Sequence, residues 1–391
     1  MRILGLISGT SHDGIDGAVV DIDAEGEGLA ARTVHRDTTP YPPALRARLV
    51  AALPPAATTL ADLARLDTEI GQAFADAAAA QIAAAGPVDL IVSHGQTVFH
   101  WLDGAQVRGT LQIGQAAWIA ERTGSPVLSD VRIRDITAGG QGAPLASRLD
   151  ALLLAGRGRV GALNMGGISN VTLVGPGPAD PVRAFDIGPA GALLDAVVSG
   201  RGLHPSGYDE GGEIAATGTV DRELLDQLLE EPFYRQPAPK STGKELFHAE
   251  YVAAALSRRG REVEDADLVA TLTELTVRTI VDALAPEELA ELFVSGGGAR
   301  NAVIMAGIAR GLPGTQVRLS DALGIGADEK EAVLMALLGY LTWHGIPGSV
   351  PSATGARGGR LLGTLCPGSG PLRLPDPAPA PTRMRMRGGV G

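Results

Sequence analysis

A glycine-containing segment near the start of the chain has the residue types of a phosphate-binding turn. Its residues are Gly9, Thr10, Ser11, His12, Asp13, Gly14, Ile15 and Asp16. Glycine lets a backbone approach a ligand closely, and successive amides of such a turn can point at an anion. The hydroxyl and carboxylate groups could hold phosphate and Mg²⁺. Taken alone, the segment fits an ordinary surface hairpin equally well, because the same residue types are common in turns.

Two further glycine segments favour the phosphate interpretation. Gly166 and Gly167 form the tip of a second predicted hairpin, between β-prone runs at 160–163 and 171–174. We interpret the two hairpins as a weak internal repeat whose tips grip a polyphosphate from both sides. The third segment, Gly296, Gly297 and Gly298, follows an apolar strand and precedes a predicted helix. A helix N-terminus favours anions through its free amides and dipole, although a tight connection is the alternative.

Polar residues after predicted strands are candidates for contacts with a second substrate. Asp186 lies where an apolar run ends before a Gly-Pro turn, so its carboxylate could project into a cleft. A helix N-terminal carboxylate is the alternative. His94, in the polar cluster 93–97, also follows an apolar strand, where open α/β sheets usually bind ligands. It could equally be a histidine with satisfied hydrogen bonds at a domain edge.

Two loops are further candidate sites. The glycine-rich loop 134–144 is long for a connection, so it could hold a sugar or act as a hinge. Residues 239–244 superficially resemble the end of a P-loop but lack its upstream glycine at the required spacing. We therefore reject a P-loop NTPase.

The elements that must position these residues alternate between strand and helix patterns, which predicts an α/β fold class. Strands are predicted at 3–7, 17–22, 88–93, 160–163, 171–174 and 292–295. Helices are predicted at 43–52, 60–85, 111–123, 192–199, 220–229, 267–283 and 330–344. Few apolar residues follow Cys366, so the tail from 367 onward is predicted to be disordered.

Composition restricts the class of partner. The formal net charge of −11 argues against a nucleic-acid-binding protein, which needs a basic face to neutralise phosphates. The single cysteine, Cys366, excludes an internal disulfide framework and a multi-thiolate metal site. Because the sequence shows no export signal and no apolar run long enough to cross a bilayer, we expect a cytoplasmic protein that binds small molecules.

Five ordered segments resemble the anhydro-N-acetylmuramic acid kinase family. They are residues 5–16, 93–97, 139–145, 164–170 and 239–243, and the resemblance extends to about residue 365. It implies a two-lobed, actin-like ATPase (ribonuclease H-like) fold with the active site between the lobes. It also implies a reaction of ATP and water with 1,6-anhydro-N-acetylmuramic acid that yields N-acetylmuramic acid 6-phosphate. A role in cell-wall recycling and a homodimer are further implications.

The same resemblance implies roles for individual residues. Asp186 matches the position of the family's catalytic base. The segment 9–16 and the glycines 296–298 would bind ATP, with Mg²⁺ neutralising charge between the phosphates. Thr97, Arg134 and Glu331 are candidates for contacting the sugar, although Arg134 and Glu331 also fit ordinary surface charges. The metal ligands are left unassigned.

The sequence departs from the family pattern at four positions. Ile187 replaces a usual Thr and Gly191 a usual Asn near the predicted base, while His12 replaces Leu and Lys244 replaces Arg. These differences could shift substrate preference or rate. We expect a first lobe of residues 1–128 plus about 345–366, a second lobe of 129–344, and the disordered tail 367–391. A kinase of the same fold for another sugar, and a nucleotide-dependent scaffold protein, are the competing hypotheses.

Overall fold

The elements of the fold are taken from a computed structural model that describes residues 1–9, 11–104, 106–177, 180–238, 240–243, 246–327 and 329–388. Its strands are β1 (Arg2–Ser8), β2 (Gly14–Glu25), β3 (Gly28–Pro40), β4 (Leu90–Asp103), β5 (Gln106–Ile113), β6 (Val127–Ser129), β7 (Val160–Met165), β8 (Ile168–Val174), β9 (Arg183–Pro189), β10 (Glu291–Ser295), β11 (Gln316–Leu319), β12 (Thr364–Cys366) and β13 (Met384–Met386).

Its α-helices alternate with these strands. They are α1 (Pro43–Ala51), α2 (Leu60–Ala85), α3 (Ala116–Thr123), α4 (Ile133–Thr137), α5 (Ala146–Leu154), α6 (Gly191–Arg201), α7 (Glu213–Thr217), α8 (Arg222–Leu229), α9 (Ala249–Arg259), α10 (Asp265–Leu284), α11 (Ala302–Gly311), α12 (Lys330–Trp343) and α13 (Pro351–Thr354).

The first compact unit contains residues 1–155, 323–325 and the chain from 329 onward. Its sheet has the strand order β12-β6-β4-β1-β2-β3-β13, and β5 pairs with β4. Strands β1, β2 and β3 are antiparallel neighbours, whereas β4 and β6 run parallel to β1 and to each other. One face packs against α5 and α12, and the other against α1, α2 and α3. The strands are buried on both faces, so they read as continuous apolar runs.

The second unit contains residues 156–322 and 326–328. Its sheet has the order β11-β10-β7-β8-β9, with β7, β8 and β9 antiparallel and β10 and β11 parallel to β7. This order repeats the β6-β4-β1-β2-β3 order of the first unit, so the internal repeat seen in the hairpins is confirmed at the level of topology. The two units are the two α/β lobes expected for an actin-like ATPase fold.

Most local predictions are confirmed, but the predicted helix 111–123 is wrong in its first part. Residues up to Ile113 belong to β5, and only Ala116–Thr123 are helical. Leu111 and Ile113 alternate with polar residues, which is the period of a strand. Gly114, at a φ of 110°, ends the strand in a conformation that side chains rarely adopt.

The chain divides differently from the expected lobes. Residues 129–155 and the helix α12 belong to the first unit rather than the second. The reason is close packing, because a Cβ at Gly5 in β1 would lie 2.0 Å from the carbonyl oxygen of Ala332 in α12. The tail is also ordered at 384–386, where β13 adds to the edge of the first sheet beside β3.

Candidate active site

The first hairpin turn, between β1 and β2, is held by contacts from its own unit. The Ser8 hydroxyl lies 2.7 Å from the carbonyl oxygen of Gly14 and 2.7 Å from Oε1 of Gln96. Gln96 also donates from Nε2 to the carbonyl oxygen of Gly9 at 3.3 Å. Arg46 donates from Nε to the carbonyl oxygen of His12 at 2.8 Å. The turn is therefore tied to β4 and α1.

The glycines of this turn serve different purposes. A Cβ at Gly14 would lie 2.8 Å from the carbonyl oxygen of Thr39, so that glycine is needed for the approach of β3. A Cβ at Gly9 would meet only the Ser11 hydroxyl, at 3.8 Å, among the described atoms. His12 adopts a φ of 55°, and Ser11 donates to Oδ1 of Asp13 at 2.7 Å. Thr10, also predicted to bind ATP, lies outside the described residues.

A network of polar and charged residues lies where the parallel pairing of β4 with β6 ends, after Ser93 and Ser129. Arg132 donates from Nε to Nε2 of His94 at 2.8 Å, and His94 Nδ1 lies 3.0 Å from the carbonyl oxygen of Gly95. A carbonyl only accepts, so Nδ1 carries the proton and His94 is neutral. Desolvation and the Arg132 charge lower the pKa of His94 to about 3.

Glu331, in the first turn of α12, belongs to the same network. Desolvation by the surrounding protein raises the pKa of its carboxyl, the Arg132 charge opposes this shift, and Asp16 adds to it. The residue nevertheless keeps access to solvent. An exposed carboxylate can accept hydrogen bonds from a ligand.

A buried carboxylate supports the loop that follows Arg132. Asp135 is fully buried and accepts from the Gly142 amide at 2.9 Å and from the Thr354 hydroxyl at 2.8 Å. Arg132 donates from Nη1 to the carbonyl oxygen of Gly142 at 2.8 Å. The segment 134–144, predicted as a polar loop, therefore includes part of α4. The hydrogen bond between Asp135 and Gly142 joins residues near its two ends.

Sequence reasoning selected Arg134, but the arginine beside Glu331 is Arg132. Arg134 is exposed on α4, and its carbonyl oxygen accepts a hydrogen bond from the Thr137 hydroxyl at 3.0 Å. Arg132 follows the carboxyl end of β6, so the rule that selected residues 93–97 could also have found it.

Thr97 is half-buried in β4. Its hydroxyl accepts from Gln112 Nε2 at 3.1 Å. Gln112 and His94 also border a cavity of about 350 Å³ within the first unit. Thr97 is therefore hydrogen-bonded to a residue that lines this cavity but does not line it itself.

In the second unit, the structure brings two predicted glycine segments together. A Cβ at Gly296, which has a φ of 85°, would lie 2.6 Å from the carbonyl oxygen of Met165. A Cβ at Gly298 would lie 2.8 Å from Cβ of Met165. Cβ atoms at Gly297 would have no described neighbour within 4 Å, and those at Gly166 would meet atoms only near 4 Å. Two glycines thus permit close packing, while the other two leave open backbone.

The helix N-termini next to these glycines are already capped. Asn301 Oδ1 accepts from the amides of Val303 and Ile304, in the first turn of α11, at 3.0 and 3.1 Å. The carbonyl oxygens of Gly166 and Gly167 accept from amides at the start of α6. Two amides in the first turn of α11 are therefore engaged by its own N-cap, and the open backbone around Gly297 is the better candidate for the anion contact, which stays a prediction.

Asp186 lies in the middle of β9, which excludes the alternative of a helix N-terminal carboxylate. Its Oδ2 accepts from the Ser241 hydroxyl and from the Thr242 amide, each at 2.9 Å. The neighbouring Lys240 donates from Nζ to the carbonyl oxygens of Phe233 and Tyr234, each at 3.0 Å. Residues 240–242 are thereby fixed against the carboxylate, which is half-buried.

The register of β9 shifts next to Asp186. Asn170 pairs with Asp186 and Ser169 pairs with Gly188, so Ile187 is the extra residue of a β-bulge. Bulges re-aim neighbouring side chains and occur often beside active sites. Ile187 is buried in the core of the unit. Ile187, in place of the family's usual Thr, therefore changes a contact in the core as well as the polarity of the side chain.

Comparison with known proteins identifies the family to which this chain belongs. A family model described as anhydro-N-acetylmuramic acid kinase matches residues 1–368. The chain belongs to the anhydro-N-acetylmuramic acid kinase family. Similar proteins of that name occur in Streptomyces coelicolor, 52% identical over 100% of both chains, and in Rhodococcus erythropolis, 52% identical over 99% of both. One from Gloeobacter violaceus is 44% identical over 93% of this chain and 98% of its own.

As a member of the anhydro-N-acetylmuramic acid kinase family, the protein is a sugar kinase that uses ATP. Among the described residues, no helix is both long and apolar enough to cross a bilayer. Nor do these residues include three histidine, cysteine or acidic side chains grouped as metal ligands.

Proposed function

We propose that this kinase phosphorylates 1,6-anhydro-N-acetylmuramic acid on O6 while water opens the anhydro ring. The products are N-acetylmuramic acid 6-phosphate and ADP, and the reaction serves peptidoglycan recycling. Family membership over residues 1–368 supports the substrate class. The observation that carries the mechanism is the carboxylate of Asp186, held in a bulged strand by Ser241 and Thr242.

In the proposed step, a water molecule attacks the anomeric carbon and its proton passes to the Asp186 carboxylate. The bond between the anomeric carbon and O6 breaks, and O6 attacks the γ-phosphorus of ATP. The bond from the γ-phosphorus to its bridging oxygen breaks, and ADP leaves. Because the forming C–O bond acidifies the water, the orientation of the base matters more than an unusual pKa. The two hydrogen bonds to Oδ2 supply that orientation.

ATP binding is assigned to the predicted glycine segments of each unit. In the first unit these are residues 9–16, and in the second they are Gly166, Gly167, Gly296, Gly297 and Gly298. The open backbone at Gly9 and Gly297 supports contact with phosphate oxygens. Backbone amides of such turns can cradle phosphates without a P-loop.

Mg²⁺ would be held by Asp13 or Asp16 together with phosphate oxygens. Both aspartates belong to the first hairpin, and their carboxylates are hard oxygen donors of the kind that this ion prefers. Asp16 accepts from the Thr38 hydroxyl at 2.6 Å, and Asp13 accepts from Ser11 at 2.7 Å, so each side chain is oriented. The ion would neutralise charge on the transferring phosphoryl group.

Sugar binding is assigned to the predicted residues Thr97 and Glu331, and to Arg132 in place of the predicted Arg134, which is exposed on α4. A carboxylate such as Glu331 accepts hydrogen bonds from sugar hydroxyls. The positive charge of Arg132 suits the lactyl carboxylate of muramic acid, because guanidinium groups pair well with carboxylates. His94, held neutral, fixes the Arg132 side chain.

A homodimer in the cytoplasm is part of the same proposal, on the basis of the family resemblance. Light scattering on the purified protein tests the oligomeric state. Lys244, one of the four departures from the family pattern, lies outside the described residues, so its effect is left to kinetics.

ADP release with a panel of sugars tests the function. We expect turnover with the anhydro sugar, and a fall in kcat of about 10²–10⁴-fold in Asp186→Asn, the range for loss of a general base. Asp226→Asn, on the exposed face of α8, is the matched control and should change kcat by less than about twofold. Turnover of N-acetylmuramic acid or a hexose in place of the anhydro sugar would contradict the proposal.

A further inference from the structure

The C-terminal segment 369–388 lies beyond the part of the chain that matches the family model, which ends at residue 368. It starts at Ser369, whose amide donates to the carbonyl oxygen of Gly124 at 3.0 Å. It ends in β13, which pairs in parallel with β3, and Met384 is buried in the core that contains α12. The segment is therefore part of the first unit.

The segment contacts the end of α12 that is far from the predicted sugar site. The Ala378 amide donates to the carbonyl oxygen of His344, the C-cap of α12, at 2.9 Å. A Cβ at Gly345 would lie 3.1 Å from Cβ of Pro377. The tail thus packs directly against the C-terminus of the helix.

The same segment contacts the chain just before α12 begins. Gly324 has a φ of 78°, and a Cβ there would lie 2.9 Å from Cβ of Met386. Leu323 packs with Met386 against the same core. Residues 323–325 lead into the first turn of α12, which carries Glu331. The tail therefore contacts the C-terminal end of the helix that presents this carboxylate and, at Gly324, the chain six residues before that helix begins.

Ion pairs connect β13 to acidic residues of β2, the next strand beyond β3. Arg385 forms two hydrogen bonds with the Glu25 carboxylate, and Arg387 lies 3.9 Å from Asp23 and 3.7 Å from Glu25. Exposed ion pairs contribute little individually. The burial of Met384 and the pairing of β13 with β3 contribute more to holding the tail on the first unit. The ion pairs favour one register of β13 against β3.

We propose that the C-terminal segment is a positioning element of the sugar site, acting through α12 on Glu331. This inference rests on the proposed function, because it takes Glu331 to contact the sugar. From Ala332 to Gly339, α12 packs tightly on β1 and β4, so the tail limits movement of the chain before the helix and of the C-terminal end of the helix rather than the formation of the helix. Loss of the tail should weaken sugar binding more than nucleotide binding.

The test compares the full chain with a variant that ends at residue 369, and with Met386→Ala. We expect the KM for the anhydro sugar to rise about fivefold or more, the size of coupling that distant contacts carry. The ADP Kd, measured by calorimetry, should change by less than about twofold. A peptide of residues 369–391, added in trans to the truncated protein, should restore the KM.

Two controls separate positioning from general destabilisation. Met386→Leu keeps an apolar side chain that packs with Leu323 against the core, and Arg373→Ala alters an exposed tail residue. Both should retain the KM of the full chain. An unchanged KM in the truncated protein and in Met386→Ala, or equal weakening of sugar and ADP binding, would overturn the inference. If the truncated chain does not fold, the pair Met386→Ala and Met386→Leu decides.

The failure of this inference is distinguishable from failure of the proposed function. If the full chain does not turn over the anhydro sugar, the proposed function fails. If it does, but removing the tail leaves the KM unchanged, only the positioning role fails.

Discussion

Arg132 donates a hydrogen bond from Nε to Nε2 of His94 over 2.8 Å. The contact joins β4 to the residues that follow β6, beside the last parallel pair of these strands, Ser93 and Ser129. The charge of Glu331 also acts on Arg132. A neutral histidine can accept this bond only through Nε2, because Nδ1 donates to Gly95. The pair therefore sets both the tautomer of His94 and the orientation of Arg132.

The two neighbouring arginines should differ in their effect on sugar binding. Arg132→Ala removes a charge beside Glu331 and leaves His94 without its donor. We expect kcat/KM for the anhydro sugar to fall by about 30-fold or more, equivalent to about 2 kcal/mol. Arg134→Ala, on exposed α4, should stay within about threefold. Equal losses in the two variants would mean that Arg134 shares the role that we assign to Arg132.

Stability should depend on pH through His94. The histidine has a pKa of about 3 when folded and an ordinary value of 6.5, so between these values the unfolded chain binds a proton that the folded chain does not. The free energy of unfolding must then fall as the pH decreases below about 6.5, by up to about 1.4 kcal/mol per pH unit, and is unaffected above that value.

The variant His94→Gln isolates this contribution, because glutamine can still accept from Arg132 but does not titrate. Urea unfolding at several values between about pH 6.5 and pH 4.5 should show a smaller loss of stability in the variant than in the natural chain. An equal loss of stability with falling pH in the two proteins would show that His94 is protonated in the folded state.

The adjacent glycines 296 and 297 should respond differently to alanine. In Gly296→Ala the new Cβ meets the Met165 carbonyl at a φ of 85°, so we expect a loss of about 1–3 kcal/mol in the free energy of unfolding. In Gly297→Ala the Cβ enters open space, so stability should change by less than about 0.5 kcal/mol. ADP binding should nevertheless weaken, by about tenfold, if nucleotide approaches that backbone. Unchanged ADP affinity in Gly297→Ala would remove this glycine from the site.

The buried hydrogen bonds of Asp135 should be coupled energetically. Asp135→Ala leaves the Gly142 amide and the Thr354 hydroxyl without this acceptor, at a cost of about 2–4 kcal/mol. A double-mutant cycle with Thr354→Ala should give a coupling energy of about 1–2 kcal/mol by chemical denaturation. Additive effects would show that the two side chains do not interact in solution.

Local chemistry explains which parts of the fold the sequence predicts well. The bounds of α2 are reproduced because Thr59 accepts from the Asp62 amide at its start and Gly86, at a φ of 89°, follows its end. Both hairpins are recovered because their turn residues and flanking apolar runs lie within a few positions of each other. These features depend on neighbours in sequence, so a single chain contains the signal.

The errors concern contacts between distant residues. The strand β5 exists because it pairs with β4, which the spacing of Leu111 and Ile113 alone did not establish. The membership of α12 in the first unit depends on its packing against Gly5. Arg132 was missed because its importance comes from His94 and Glu331, which are far from it in sequence. The β-bulge beside Asp186 likewise arises from strand pairing.

The central claim is that water, rather than a sugar hydroxyl already present, begins the reaction beside Asp186. Mass spectrometry of the phosphorylated product formed in ¹⁸O-water tests this claim most directly, with rapid quenching to limit exchange at the anomeric centre. We predict one ¹⁸O atom at the anomeric oxygen and none in the phosphate. A phosphorylated product without ¹⁸O at the anomeric oxygen would contradict the account.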